Sequence, residues 1–386
     1  MSRHNPSRKA IRTFALASFL NDMGSDIIYP VWPLFVTTVL KANMAALGFL
    51  DGLGEALVSL SQAASGLLSD RIGKRKIFIW TGYLCGALSR WGYALSSIWT
   101  HLVPFRILDR AGKIRSAPRD AFVADLSTDA TRGKHFGLLR AMDHLGAVVG
   151  ILLCILLFQT LGFRLLFALA AIPSLASTVL ILTKIKEKKQ DHSSIFNGLS
   201  LRVLDKNALF FLILSAIFSL GAFSYSFLLI SAKEAGIETS FIPVLYLVFS
   251  GAASLTALPF GKLSDKIGRK RTLFISFFLW AAVCFLFVLS RSHLLLVTAF
   301  VIYGAHKGAL EPSLKAFVCE LGPKEFRASF LGGFQMVTGL CALPASLTAG
   351  LLWESYGAIA PYGLALALTV LAGTTLLFVK TPAREI

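Results

Sequence analysis

Between residues 10 and 379 the sequence passes through about twelve apolar stretches, each close to the roughly 20 residues that a helix needs to cross a ~30 Å hydrocarbon layer. Inside such a layer every backbone N–H and C=O must be satisfied locally, so successive runs of this length call for helices. They lie near 10–37, 44–69, 76–97, 100–125, 135–159, 162–183, 207–232, 239–262, 272–290, 294–320, 329–353 and 356–379. Hydrophobic residues make up 55% of the chain, charged residues 15%, and the mean hydropathy is +0.69, values that exclude an ordinary soluble domain. The expectation is an all-α integral membrane protein. The first stretch follows MSRHNPSRKAIR directly and is too long for a cleavable signal segment, so it is expected to stay in the protein.

A net charge of +17 invites a nucleic-acid partner until the basic residues are located. They gather in the N-terminal tail, in alternate loops near 71–76, 132–134, 184–206, 262–271 and 324–327, and in the C-terminal tail. Only Lys41, Arg164, Lys233 and Arg291 fall in the intervening loops. The positive-inside rule therefore puts both termini of this multi-pass protein in the cytoplasm, with a bacterial inner membrane the expected setting, and leaves no need for a nucleic-acid partner. Cys85, Cys154, Cys284, Cys319 and Cys341 lie in or near apolar helices, with no CxxC pair and no histidine at ligand spacing, so no metal site is expected. No GxxxxGK[ST] loop occurs. The chain is expected to be no enzyme, to hold no cofactor and to draw on a gradient if it draws on energy at all.

The sequence repeats itself. GLLSDRIGKRK at 66–76 returns as GKLSDKIGRKR at 261–271, and the same offset carries AFVADL at 121–126 onto AFVCEL at 316–321. Two halves of six helices are implied, residues 1–183 and 207–386, joined by a charged linker at 184–206. Such parallel halves suit a transporter with a midplane site.

The paired pattern Gly-x-Leu-Ser-Asp-[Arg/Lys]-Ile-Gly-[Lys/Arg]-[Arg/Lys] resembles the loop 2–3 and loop 8–9 signatures of the major facilitator superfamily, and the resemblance covers the whole chain. It implies twelve transmembrane helices in two pseudo-symmetric six-helix bundles working by alternating access. It also implies a gating role for the loops, Asp70, Arg71, Gly73 and Arg75 in the first and Asp265, Gly268 and Arg269 in the second. In the family, each loop aspartate meets the positive end of a helix in the other half.

Inside the spans the ionisable residues set the chemistry. DRAGKIRSAPRD at 109–120 holds six of them in the fourth helix: Asp109, Arg110, Lys113, Arg115, Arg119 and Asp120. On a straight helix Arg106, Asp109, Arg110, Lys113 and Asp120 share one face, while Arg115 and Arg119 lie opposite unless Gly112 and Pro118 reorient them. Charges there cost several kcal/mol unless they face a cavity or partner, so they must look into the protein. Asp22 and Asp26 on the first helix, Asp51 and Glu55 on the second, and Asp143 beside Arg140 and His144 on the fifth supply acids. The first half holds as many acids as bases, which keeps a structural salt-bridge network in play beside a substrate role.

The candidate substrate-binding residues are Arg106, Arg110, Lys113 and Lys307, a cationic patch suited to carboxylate or phosphate, with Asp22 and Asp26. Asp22, Asp26 and Glu55 are the candidates for a coupling proton. Arg119 and Asp120, nearer the cytoplasm, join the gating set. His144 and His306 read as hydrogen-bonding residues. A fifth-helix glycine pattern, Gly137, Gly146 and Gly150, carries Ile151 where antiporters of the superfamily commonly have proline. The expectation is a monomeric secondary transporter of a small organic anion, a carboxylate, phosphorylated metabolite or carboxylate-rich chelate, coupled to protons. A proton-coupled efflux carrier for drugs or amphiphilic metabolites is the alternative, and a membrane sensor or scaffold the third class.

Overall fold

The computed structural model describes residues 6–127, 129–187, 205–289, 292–322 and 327–381, and they are helical almost throughout. Most of the expected linker at 184–206 lies outside them. The chain opens with α1 (Pro6–Ile28), a turn holding Pro30, and α2 (Trp32–Leu34), which runs on as a π-helical turn over Phe35–Val39. Proline supplies no N–H to a helix interior and clashes with the preceding turn, so this first segment breaks at Pro30. Then come α3 (Met44–Ile72) and α4 (Lys76–Leu95). The fourth expected segment is α5 (Leu102–Ala111), a 3₁₀ turn over Gly112–Arg115, and α6 (Ser116–Asp125). The fifth and sixth form one run, α7 (Asp129–Lys184), broken at Gly162, whose φ of 65° and ψ of −177° no helix contains.

The second half begins with α8 (Lys206–Leu220) and α9 (Tyr225–Glu234), separated by a break that matches the one at Pro30 in the repeat. It continues through α10 (Ile242–Ile267), α11 (Arg269–Leu289) and α12 (His293–Leu321). It ends with α13 (Arg327–Leu340), α14 (Ala342–Tyr356) and α15 (Ala360–Leu376). All twelve expected segments are thus helical, and seven helices among the described residues are long and apolar enough to cross a membrane. One of the seven covers the fifth and sixth segments, so four fall short: the first and fourth are charged and interrupted, the third, α4, carries Lys76 and Arg90 in 20 residues, and α15 has 17 residues.

The chain forms two compact units, residues 1–42 with 57–196, and residues 43–56 with 197–386. Helix α3 starts in one and ends in the other. In the first unit Phe14, Tyr83, Phe122 and Ile181 join α1, α4, α6 and α7 in an apolar core. Glycines bring α1 and α7 together, since a Cβ at Gly146 or Gly150 would lie 2.3 Å from the carbonyl oxygens of Phe19 and Met23. Without a hydrophobic force between helices in lipid, such small residues gain packing by close approach. In the second unit Gly304 and Gly308 do the same for α12 against α10, around an aromatic core that includes Phe218, Phe277, Trp280 and Tyr362.

Candidate functional site

The first unit concentrates buried arginine. Arg90, Arg106, Arg110, Arg115 and Arg119 are all under 9% exposed. The 3₁₀ turn at Gly112 explains why Arg115 and Arg119 lie inside with the rest: at about 120° per residue instead of 100°, four residues rotate the lower helix by roughly 80°. Gly112 permits the turn's close packing, because a Cβ there would sit 2.7 Å from the Gly82 carbonyl on α4.

Each guanidinium has its own setting. Arg106 lies 4.5 Å over the Trp32 ring, Arg110 5.2 Å over Tyr29 and Arg115 5.0 Å over Tyr83, all cation–π contacts. Arg110 also donates to Tyr29 Oη at 3.2 Å and lies 3.5 Å from Asp109 Oδ2. Arg115 turns back to the Gly112 carbonyl at 2.9 Å. Arg119 donates to Ser18 Oγ at 2.6 Å and to Asp120 Oδ1 at 3.0 Å, with Asp143 Oδ1 3.6 Å away. Asp143 also meets Arg140 at 3.4 Å, and His144 is exposed.

Arg90 carries no assignment from the sequence, yet four hydrogen bonds hold it. It donates to the Asn21 carbonyl at 3.2 Å, Ser25 Oγ at 2.8 Å, the Ala170 carbonyl at 3.0 Å and Ser174 Oγ. All four partners are neutral, and they tie α4 to α1 and α7. A Cβ at Gly24 would stand 2.3 Å from Arg90 Nη1, so glycine leaves the slot open.

Arg90, Arg106, Arg110 and Lys113 all lie within electrostatic reach of Asp109. Lys113 is half-buried, and among the described residues no hydrogen bond or ion pair engages its ammonium. Asp22 accepts from Asn21 Nδ2 at 2.9 Å, and Asp26 lies against Gly150. Both are half-buried.

In the second unit Lys307 lies 5.5 Å over the Tyr303 ring, within electrostatic reach of Glu311 and of the exposed Glu55. His306 is 1% exposed, 2.9 Å from Ser276 Oγ, between Trp280 and Tyr303. Residues 43–56 pack tightly here. A Cβ at Gly48 would stand 2.1 Å from the Ser346 carbonyl oxygen, and Gly52 and Gly350 make similar close approaches along α14. Asp51, 3% exposed, accepts from Ser224 Oγ at 2.7 Å and Ser226 Oγ at 2.5 Å. Ser224 caps α9, so this carboxylate stands at the positive end of that helix. Met44 N donates to Glu354 Oε1 at 2.6 Å. The sequence places Asp51 among the acids and names no partner for it.

The repeated loops are built alike. Gly73 (φ 66°) and Gly268 (φ 99°) end α3 and α10 in the left-handed region. Arg75 pairs with Asp125, and Arg269 with Glu320 at 3.1 Å and with Asp265 of its own loop. Asp125 and Glu320 are repeat equivalents, last acids of AFVADL and AFVCEL, and that match is the signal for them in the sequence. Arg71 is exposed, and the Asp70 side chain lies outside the described residues.

The family model of the Major Facilitator Superfamily matches residues 14–253 and 209–386. An uncharacterised MFS-type transporter of Methanocaldococcus jannaschii is 36% identical over 386 residues, covering 96% of this chain and 95% of its own. Multidrug resistance protein 2 of Bacillus subtilis is 26% identical, over 78% of each chain. Among solved structures, a single-site mutant of the nucleoside transporter NupG aligns with a TM-score of 0.81 at 16% identity, covering 95% of this chain and 98% of its own.

Proposed function

The chain belongs to the major facilitator superfamily, and we propose that it is a proton-coupled secondary transporter of a small organic anion, working by alternating access. It is a multi-pass membrane transporter; what the proposal adds is substrate class, coupling and orientation. Both termini lie in the cytoplasm in this reading, on the distribution of Lys and Arg between alternate loops. The anion is a carboxylate, a phosphorylated metabolite or a carboxylate-rich chelate.

One observation carries the anionic class: Lys113, mid-segment and half-buried, has no hydrogen-bond or ion-pair partner among the described residues, and buried Arg106 and Arg110 precede it on the same segment. Asp109, the carboxylate in electrostatic reach, is shared with Arg90, Arg106 and Arg110, so four cations face one acid and a substrate carboxylate or phosphate supplies further counter-charge. Arg106 and Arg110 rest on aromatic faces that keep their forks in place. Lys307, with Glu55 and Glu311 in reach, is the second unit's contribution. Asp22 and Asp26 carry the coupling proton in this scheme, with Glu55 as a third carrier. The loop pairs Arg75–Asp125 and Arg269–Glu320, with Asp70, Arg71 and Asp265, serve the gate, and Arg119–Asp120 braces it.

Uptake into proteoliposomes under an imposed proton gradient, screened over small carboxylates and phosphate esters, tests the reading. Lys113→Gln should weaken apparent affinity by about 1.5–3 kcal/mol, roughly 10- to 150-fold, with folding unchanged. Unaltered affinity in a folded Lys113→Gln protein would defeat the anion site. The second reading, efflux of drugs or amphiphilic metabolites, is favoured by the multidrug resistance relative of Bacillus subtilis. Its mark is transport of lipophilic cations that survives Lys113→Gln and fails on neutralising Asp22 or Asp26.

A further inference from the structure

The second unit holds a cavity of about 880 Å³ that borders the loop assigned to the gate, sharing Gly268, Arg269 and Glu320 with it, and includes none of the charges assigned to substrate or proton. Its polar wall is Lys266, Arg269, Lys270 and Arg271 with the Glu320 carboxylate and Thr381, and Phe274 and Leu377 form part of its apolar wall. Two of the four cations are committed. Arg269 is held by Asp265 and Glu320, and Lys270 Nζ donates to the Leu377 and Val379 carbonyls, both at 2.8 Å. Lys266 and Arg271 are exposed and have no hydrogen-bond or ion-pair partner among the described residues. The first turn of α11, whose leading N–H groups no helical carbonyl can satisfy, is part of the same wall. From there an apolar strip follows one side of α11, Phe274, Phe278 and Phe285, exposed by 38%, 71% and 53%. Phe378 beside the cavity is 76% exposed.

The first half shows what this architecture takes. There α4 begins next to the equivalent loop, and the Glu187 carboxylate sits on its first amides, accepting from Arg75 N at 2.9 Å and from Lys76 N at 3.2 and 3.3 Å. The surrounding bonds correspond: Arg75 with Asp125 as Arg269 with Glu320, and Lys76 Nζ to the Leu182 carbonyl as Lys270 Nζ to that of Leu377. In the second half the chain that follows α15 brings Thr381 to the cavity wall, and its side chain carries no charge. One half meets its helix start with a carboxylate of its own; the other offers a neutral hydroxyl, two uncommitted cations and room.

We propose that the headgroup phosphate of an anionic phospholipid occupies this cavity, held by Lys266, Arg271 and the first amides of α11, with its acyl chains along Phe274, Phe278 and Phe285. A helix start favours a phosphate oxygen, and basic recesses between membrane helices suit acidic lipids. The exposed phenylalanines select a lipid over a free phosphate, since soluble anions gain nothing from them. The inference needs only a membrane-embedded chain and stands apart from the identity of the transported solute.

Native mass spectrometry of the full chain in neutral detergent, titrated with phosphatidylglycerol, phosphatidylcholine or inorganic phosphate, reads the site directly. Phosphatidylglycerol should be retained at least about tenfold more tightly than phosphatidylcholine. The double variant Lys266→Gln with Arg271→Gln should weaken its binding roughly 30-fold, at about 1 kcal/mol per cation. Thr381→Glu, which keeps every cation and places a carboxylate on the cavity wall, should expel the lipid. Lys184→Gln with Lys186→Gln, exposed cations beside Glu187, should change nothing. Equal retention of the two lipids, full binding by folded Thr381→Glu protein, or displacement of lipid by phosphate alone at matched concentration would each overturn the proposal.

Discussion

Replacing Arg90 by methionine should cost the protein almost nothing in stability, whereas removing its acceptors and leaving the charge should cost more. The guanidinium is 2% exposed and rests on four neutral acceptors. Polar bonds inside membrane proteins average about 0.6 kcal/mol each, so the four return about 2.4 kcal/mol. Burying a cation with no carboxylate hydrogen-bonded to it, and with Asp109 only in electrostatic reach, costs several kcal/mol, which those bonds offset only in part. Deleting the charge strands no donor: Ser25 Oγ still donates to the Asn21 carbonyl at 3.2 Å and Ser174 Oγ to Asn21 Oδ1 at 3.1 Å. Arg90→Met therefore stays within about 1 kcal/mol of the parent or rises above it. Ser25→Ala with Ser174→Ala keeps the buried cation, removes two of its four acceptors, and loses about 1–3 kcal/mol. Unfolding titrations in mixed SDS–detergent micelles give both numbers. The reverse order, a large loss for Arg90→Met and none for the serine pair, would refute the reasoning, because the three helices would then depend on the cation itself.

Three further outcomes follow from the geometry. Asp51→Ala should lose about 2–4 kcal/mol, since the buried Ser226 and half-buried Ser224 hydroxyls lose a charged acceptor at a helix start, and Asp51→Asn about half of that; equal stability of all three proteins would remove Asp51 from the packing of α9. Gly48→Leu must push α3 from α14, because the first added carbon would already lie 2.1 Å from a carbonyl oxygen, and overpacking of this kind costs about 1–3 kcal/mol. The same variant should speed maleimide labelling of Cys341, the residue before α14, and unchanged labelling with unchanged stability would count against a tight seam.

The twelve segments and the repeat are legible in the sequence because both are written in short-range pattern, run length in one case and a recurring loop in the other. The charges are legible as a group and not as a geometry. Arg115 and Arg119 fall on the far side of a straight helix, and the 3₁₀ turn at Gly112–Arg115 brings them round. That turn depends on the close approach of Gly82 on α4, which no periodicity within the fourth segment reveals. Balanced counts of acid and base suggest that the first half neutralises itself pair by pair. In the structure Arg90 takes neutral hydrogen-bond partners, and Arg106 and Arg115 also rest on aromatic faces. Asp51 with Ser226 and Glu187 with Arg75 are 175 and 112 residues apart in the chain. Contacts across such distances leave no local mark, and nothing in the sequence sets Glu187 apart from the other charges of the linker.

Helix α3 imposes a timetable on biosynthesis. Its first turns pack against α9 and α14, and the bond from Met44 N to Glu354 spans 310 residues. At about 5–20 residues per second, a ribosome takes roughly 15–60 s to make the intervening chain. Through that interval Gly48 and Gly52 have already entered the membrane and the turns of α14 they pack against do not exist. Asp51 waits for a shorter time, until its donors Ser224 and Ser226 are made 173 and 175 residues later, hydrated at the membrane surface or sheltered by an insertion factor. The first half, completed early, cannot finish burying its own second helix until the last third of the protein has been made.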